Sequence, residues 1–209
     1  MIDFSELMKA IIDGQSEAVT GLVKKALHDG VGADDILNNG LIKGMDIVGE
    51  KMQNGDLFIP EVLQSAQCMN ASLEILKPLL STESTVVRGK IVIGTVKGDL
   101  HDIGKNLVKM MMESTGFEVT DLGVDVAPEH FIKAIKERNA NIVALSALLT
   151  TTMPMMKKTI DALVESGLRD KVKVMIGGAP VTQTFADEIG ADGFASDAGS
   201  ASKLAKNFA

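Results

Sequence analysis

The sequence predicts an α/β protein in two parts: a four-helix bundle over residues 1–88, then a doubly wound domain with a five-stranded parallel sheet over residues 89–209. Two observations carry that prediction. Up to residue 80, apolar residues recur at helical spacing with no β-like alternation. From Lys90 onward, short apolar runs alternate with amphipathic stretches of roughly 10–15 residues, the pattern of successive βα units. With 209 residues, 45% of them apolar, each part is long enough to bury a core.

In chain order, the helices of the first part are expected at 4–13, 16–29, 34–53 and 60–80, with breaks at Gly14, Gly30 and Asn54-Gly55. Pro60 opens the last one as a first-turn residue. Their short connections make antiparallel neighbours and hence a bundle. The polar stretch STESTVVR (81–88), after Pro78, reads as the linker. The strands are expected in KIVIGTV (90–96), FEVTDLG (117–123), NIVALSA (141–147), KVMIGG (173–178) and GFAS (193–196), with Gly116, Gly167 and Gly190 closing helices between them. Five such units match a flavodoxin-like, Rossmann-like domain. In the strand order 2-1-3-4-5, ligands bind beyond the carboxyl ends of the strands, where the chain reverses direction between strands 1 and 3.

Composition excludes several classes. No apolar run approaches the roughly 20 residues of a membrane span, and the acidic start MIDFSELMKA is unlike a signal peptide, so a cytoplasmic protein without a membrane partner is expected. Cys68 is the single cysteine and admits no internal disulfide; with His28, His101 and His130 scattered, no zinc spacing exists. Any metal must arrive inside a cofactor or with a partner. The net charge of -7 is concentrated in residues 1–88, which hold 7 basic and 13 acidic side chains against 14 and 15 in the remainder. Neither part has a basic stripe, and without Trp or Tyr there is little for bases to stack on, so no nucleic-acid partner is expected.

The unusual residues gather at the predicted carboxyl edge. The loop after strand 1 is GDLHDIGKN (98–106), strand 3 runs into SALLTTT, and strand 4 ends in GGAP. A lone loop histidine is ordinarily a surface or capping residue. Asp99, two residues before His101, changes that balance: it can accept from one ring nitrogen, fix the tautomer and leave the other nitrogen basic for a metal. Helix capping is the competing reading for Asp99 and Asp102, turn chemistry for Ser146 and the threonines 150–152, and a tight turn for Gly177-Gly178. A phosphate-binding loop fits poorly, because Gly98 to Gly104 is one residue too long and Asn106 stands where a hydroxyl belongs.

Together, Asp99-x-His101-x-x-Gly104, Ser146-x-Leu148 and Gly177-Gly178 resemble the three-part signature of corrinoid-binding domains. The helical part, with KGMDIVGEKMQNGDLFIPEVLQSAQCMNASLEIL, is similar to the cap that precedes that domain in cobalamin-dependent methionine synthase and in the small corrinoid proteins of methyltransferase systems. The resemblance spans nearly the whole chain. It implies a cobalamin or related corrinoid, methylcobalamin during turnover, bound base-off with His101 as the lower cobalt ligand. Asp99 is then its hydrogen-bond partner, and Thr152 stands where methionine synthase has the serine completing the relay. Gly104, Ser146, Leu148, Gly177 and Gly178 would line the slot for the displaced nucleotide tail, Phe58 would cover the upper face of the corrin, and Gly94 and Asp102 are further cofactor-binding candidates.

The implied function is that of a methyl-carrier subunit and not a stand-alone enzyme, since the chain lacks the zinc ligands that would activate a methyl donor. A donor-specific methyltransferase loads it, a second methyltransferase passes the methyl to tetrahydrofolate or a thiol, and a reductive activase restores it. Among donors, the preference is for an O-demethylase system. The rival is the cobalamin-binding subunit of an adenosylcobalamin-dependent mutase, against which the helical cap counts. A cobalamin-dependent regulator would need a basic DNA-binding segment, and a flavodoxin-like module without corrinoid is the plainest alternative.

Overall fold

A computed structural model describes residues 4–80 and 88–209. The expected linker therefore lies outside the described residues, apart from Arg88. The chain divides into two compact units, with the main division between Val86 and Val87.

The first unit is helical: α1 (Ser5–Ile12), α2 (Ser16–His28), α3 (Ala33–Asp35), a π-helical segment (Ile36–Ile42), α4 (Lys43–Asn54) and α5 (Ile59–Leu76), followed by a short 3-10 turn (Lys77–Leu79). Its core contains Ile11, Val19, Val23, Ile36, Leu41, Met45, Val48, Val62 and Met69. Within α5, Pro60 is the second residue, and the Glu61 carboxylate accepts from the Phe58 N–H at 3.1 Å. The single helix expected at 34–53 is instead α3, the π segment and α4 in succession. Gly40 lies in that π segment against α1, where a Cβ would come within 2.6 Å of Leu7 Cδ2. A wider turn carrying a glycine lets the two helices approach, a detail that apolar periodicity does not encode.

The second unit begins with β1 (Lys90–Thr95), β2 (Glu118–Asp121), β3 (Ile142–Ser146), β4 (Lys173–Gly177) and β5 (Gly193–Ala195), all parallel in the order β2-β1-β3-β4-β5. The expected order is the observed one. Alternate residues of each strand feed opposite cores. Val92, Val143, Leu145, Val174 and Ile176 pack with residues of α7 (Pro128–Arg138), α8 (Pro154–Glu165) and α9 (Gln183–Ile189). Ile91, Ile93, Ile142, Ala144 and Met175 pack with residues of α6 (Ile103–Ser114) and α10 (Ala198–Phe208). Burial on both faces explains why the central strands β1, β3 and β4 read as continuous apolar runs. Gly190 closes α9 in the left-handed conformation as expected, whereas α7 closes on Asn139, with φ 51°. No described helix is long and apolar enough to cross a membrane.

Candidate functional site

The site is built where β1 ends. Val96 forms one last parallel bridge to Val126, and Gly98 then turns the chain with φ 85°, a conformation open to glycine at little cost. That turn drops the Asp99 side chain into the protein, where it is wholly buried, while the next residues stay at the surface.

The buried carboxylate is surrounded by donors. One oxygen lies 2.7 Å from His101 Nδ1 and accepts the His101 backbone N–H at 3.1 Å. The other accepts the Leu148 N–H at 2.8 Å, the Leu149 N–H at 3.2 Å and the Thr152 hydroxyl at 2.7 Å. Burial alone would push the Asp99 carboxyl up. The hydrogen bonds from the His101 and Thr152 side chains and from the backbone outweigh it and hold the group well below the usual carboxylate range. Asp99 is therefore an anion.

An anion at Nδ1 determines the tautomer of a neutral imidazole: Nδ1 carries the proton and Nε2 the lone pair. The His101 side chain is 50% exposed, and Nε2 has no hydrogen-bond partner among the described residues. Its backbone is tied separately, because Thr95 Oγ1 donates to the His101 carbonyl at 2.8 Å. Around it lie exposed apolar side chains, Leu100 and Ile103 on its own loop and Leu148 and Leu149 after β3. Among the described residues no group of three or more His, Cys, Asp or Glu side chains is placed to hold a bare ion; a single imidazole suits a metal already held within a cofactor.

The other expected residues divide. Thr152 does reach Asp99, and Ser146 ends β3 in register with Gly177 and Thr95. Leu148 contributes its backbone N–H to Asp99. Gly104, the second residue of α6, faces open space: a Cβ there would meet nothing within 4 Å. Gly177 and Gly178 have a reason inside the protein itself. A Cβ would sit 2.9 Å from the Ala195 carbonyl oxygen in the first case and 1.9 Å from that of Ala147 in the second, where φ is also 132°. Gly94 lies within β1 under the Phe131 ring, where a Cβ would come within 2.8 Å, so packing accounts for its size. The Asp102 carboxylate accepts from the Asn106 side chain at 3.1 Å. Phe58 precedes α5 in the first unit and is 66% exposed.

Residues that sequence reasoning passed over also converge here. Lys105 resembles the lysine of a phosphate loop only in its neighbours, since its ammonium is buried 2.7 Å from each oxygen of Asp121. Asp125 grips Gly98, its carboxylate accepting the backbone N–H at 2.7 Å. The available signal was an aspartate at the end of an edge strand and a second one four residues later, in DLGVD.

A doubly wound domain whose loop beyond strand 1 presents a half-exposed imidazole held by a buried carboxylate defines a class of protein with a ligand site at the carboxyl edge of its sheet. Comparison with known proteins narrows it. Two family models, each described as a B12 binding domain, match residues 89–203 and 4–77. A dimethylamine corrinoid protein of Methanosarcina acetivorans is 46% identical over 202 residues, which cover 96% of this chain and 94% of the relative. The crystal structure of a cobalamin-binding protein from Desulfitobacterium hafniense superposes with a TM-score of 0.86 at 36% identity, covering all of both chains. That of the methanol:cobalamin methyltransferase complex MtaBC from Methanosarcina barkeri gives 0.85 at 31% identity, covering 98% of this chain and 78% of the other. The chain belongs to the B12-binding corrinoid proteins, with the helical cap preceding the Rossmann-like domain.

Proposed function

We propose that this chain is the methyl-carrying corrinoid subunit of a multi-component methyltransferase system. When bound, the corrinoid supplies a cobalt centre that accepts and releases a methyl group. The observation that carries the proposal is the Asp99–His101 pair, a buried anion holding an exposed imidazole with Nε2 presented outward. His101 Nε2 would ligate the corrinoid's cobalt. Leu100, Ile103, Leu148 and Leu149 would meet the macrocycle, and Gly104, with Ser146 and the Gly177-Gly178 turn, would flank the nucleotide tail.

The chain's own residues then control one proton. While Nε2 is engaged, Asp99 and the Nδ1–H hold the ring in place. When Nε2 is released, the Nδ1–H stays bonded to Asp99. Thr152 and the amides of Leu148 and Leu149 keep Asp99 from taking that proton. Asp99 thereby fixes which ring nitrogen is presented, whether or not it is engaged.

Partners follow from what the chain lacks: a donor-specific methyltransferase, an acceptor methyltransferase using tetrahydrofolate or a thiol, and a reductive activase. Dimethylamine is the first donor to test, because a relative at 46% identity is named for it. Methanol and a methoxylated aromatic form the second and third arms, the latter testing O-demethylation. The decisive experiment loads the apoprotein with hydroxocobalamin carrying nitrogen-15 in its benzimidazole and records electron paramagnetic resonance of the Co(II) form. Nitrogen-14 splitting that vanishes in His101→Ala is expected; nitrogen-15 splitting in the wild type would overturn the assignment.

A further inference from the structure

The loop that carries His101 is gripped at both ends by one short stretch, the last residue of β2 and the turn that follows it. At the first end, Asp125 Oδ1 accepts the Gly98 N–H at 2.7 Å and the Asp125 N–H donates to the Asp99 carbonyl at 3.0 Å. Thr95 N–H donates to the Gly123 carbonyl and Val126 N–H to the Thr95 carbonyl, each at 3.0 Å, so the turn is stitched to the last residues of β1 as well. Asp125 has φ 53°, in the left-handed region that aspartate tolerates better than most residues.

At the second end stands Lys105, the third residue of α6, whose side chain is 1% exposed. Its ammonium lies 2.7 Å from both oxygens of Asp121 and 2.8 Å from Asn106 Oδ1, and Asn106 in turn donates to Asp102. Asp121 also accepts the Gly123 N–H at 2.9 Å, and Lys109 Nζ stands 3.7 Å from it. Burial pushes the Asp121 carboxyl up, but Lys105 and the Gly123 amide more than offset this and hold it low. A buried ion pair adds little net stability over apolar residues of the same size; its best-attested use is to fix register. Here the register is that of the first turn of α6 against the end of β2.

We propose that Asp121 and Asp125 are positioning residues that clamp the two ends of the 98–105 loop and thereby hold His101 in its Nδ1–H form, aimed outward by Asp99. The clamp deepens the function proposed above: it rests on His101 being the group that meets the corrinoid. Both carboxylates are engaged within the protein itself. Each acts through backbone placement, Asp125 by way of Gly98 and Asp121 by way of Lys105.

Three variants separate the clamp from simple stability. Asp125→Gly keeps access to positive φ but removes the acceptor, whereas Asp125→Asn keeps both. The double variant Lys105→Met with Asp121→Leu replaces the ion pair by apolar side chains of similar size. The first readout needs no cofactor: nitrogen-15 spectra of the apoprotein's three histidines, with His101 assigned by its loss in His101→Ala. The wild type and Asp125→Asn should show His101 as Nδ1–H, while Asp125→Gly and the double variant should show a mixture of tautomers. Hydroxocobalamin should leave the latter two roughly tenfold faster, the scale of one lost hydrogen bond. A wild-type His101 spectrum in both would overturn the clamp, whatever their melting temperatures. If His101→Ala left cobalt coordination unchanged, the ligand assignment would fall, and the apoprotein tautomer would still decide the clamp.

Discussion

Replacing Gly104 by alanine should stabilise the empty protein and weaken its hold on the corrinoid. Gly104 is the second residue of α6 and exposed, and its backbone is free of positive φ. Glycine in a helix is less favourable than alanine by about 0.5–1 kcal/mol, because it loses more backbone freedom on folding. A Cβ at 104 meets nothing within 4 Å, so no steric cost offsets that gain. For a chain of this size, such a gain raises the thermal midpoint of the apoprotein by about 1–4 °C. The same methyl group enters space that the proposal assigns to the nucleotide tail, where overpacking costs about 1–3 kcal/mol, or roughly 5- to 150-fold in affinity. Thermal unfolding of the apoprotein and a spectrophotometric titration with hydroxocobalamin measure the two effects. Unchanged or tighter binding would refute the assignment of that space to the ligand, and a lowered midpoint would refute the claim that the position is sterically open.

Other substitutions probe the remaining parts of the site. Gly178→Ala should fail in the opposite manner, destabilising the apoprotein by several kcal/mol, since its Cβ would fall 1.9 Å from the Ala147 carbonyl oxygen in a left-handed backbone; a midpoint within a degree or so of wild type would contradict it. Thr152→Val deprives the Asp99 anion of a 2.7 Å hydrogen bond and should cost about 2 kcal/mol in urea unfolding, with Thr152→Ser restoring most of it. Asp99 also predicts a pH dependence. Its folded carboxyl is held below the ordinary 3.8, so its contribution is complete above the unfolded value and is lost as pH falls toward the folded one. Wild-type stability should therefore fall more steeply than that of Asp99→Asn between about pH 5 and pH 3, and parallel profiles would show that the carboxylate is not protected.

The fold was legible because the central strands β1, β3 and β4 are buried on both faces, which turns each into a short apolar run bounded by glycine or polar residues. The π segment was not, because a widened turn leaves the spacing of apolar residues nearly helical, and its cause, Leu7 against Gly40, lies in another helix. Asp99 and His101 were legible because the bond between them spans two residues, and Thr152 because of the resemblance it carries. Lys105 with Asp121 and Gly98 with Asp125 were not, being 16 and 27 residues apart and joined only by strand order. Glycine misled in one respect. Nothing in the letters distinguishes Gly104, small with no internal reason, from Gly177 and Gly178, small because two carbonyl oxygens crowd them.

The plainest rival for the aspartate, a helix cap, fails on where its donors come from. A capping carboxylate accepts from backbone N–H groups in the first turn of the helix it begins. Asp99 instead accepts from His101, which precedes α6, and from Leu148, Leu149 and Thr152, which follow β3. Its charge is directed at the imidazole and away from the helix. Holding a half-exposed side chain in one orientation costs up to about 1 kcal/mol of rotamer entropy, and the hydrogen bond that holds it leaves half the ring exposed to water. The ring is thus held toward solvent with Nε2 unpartnered among the described residues, as the proposed ligand role requires.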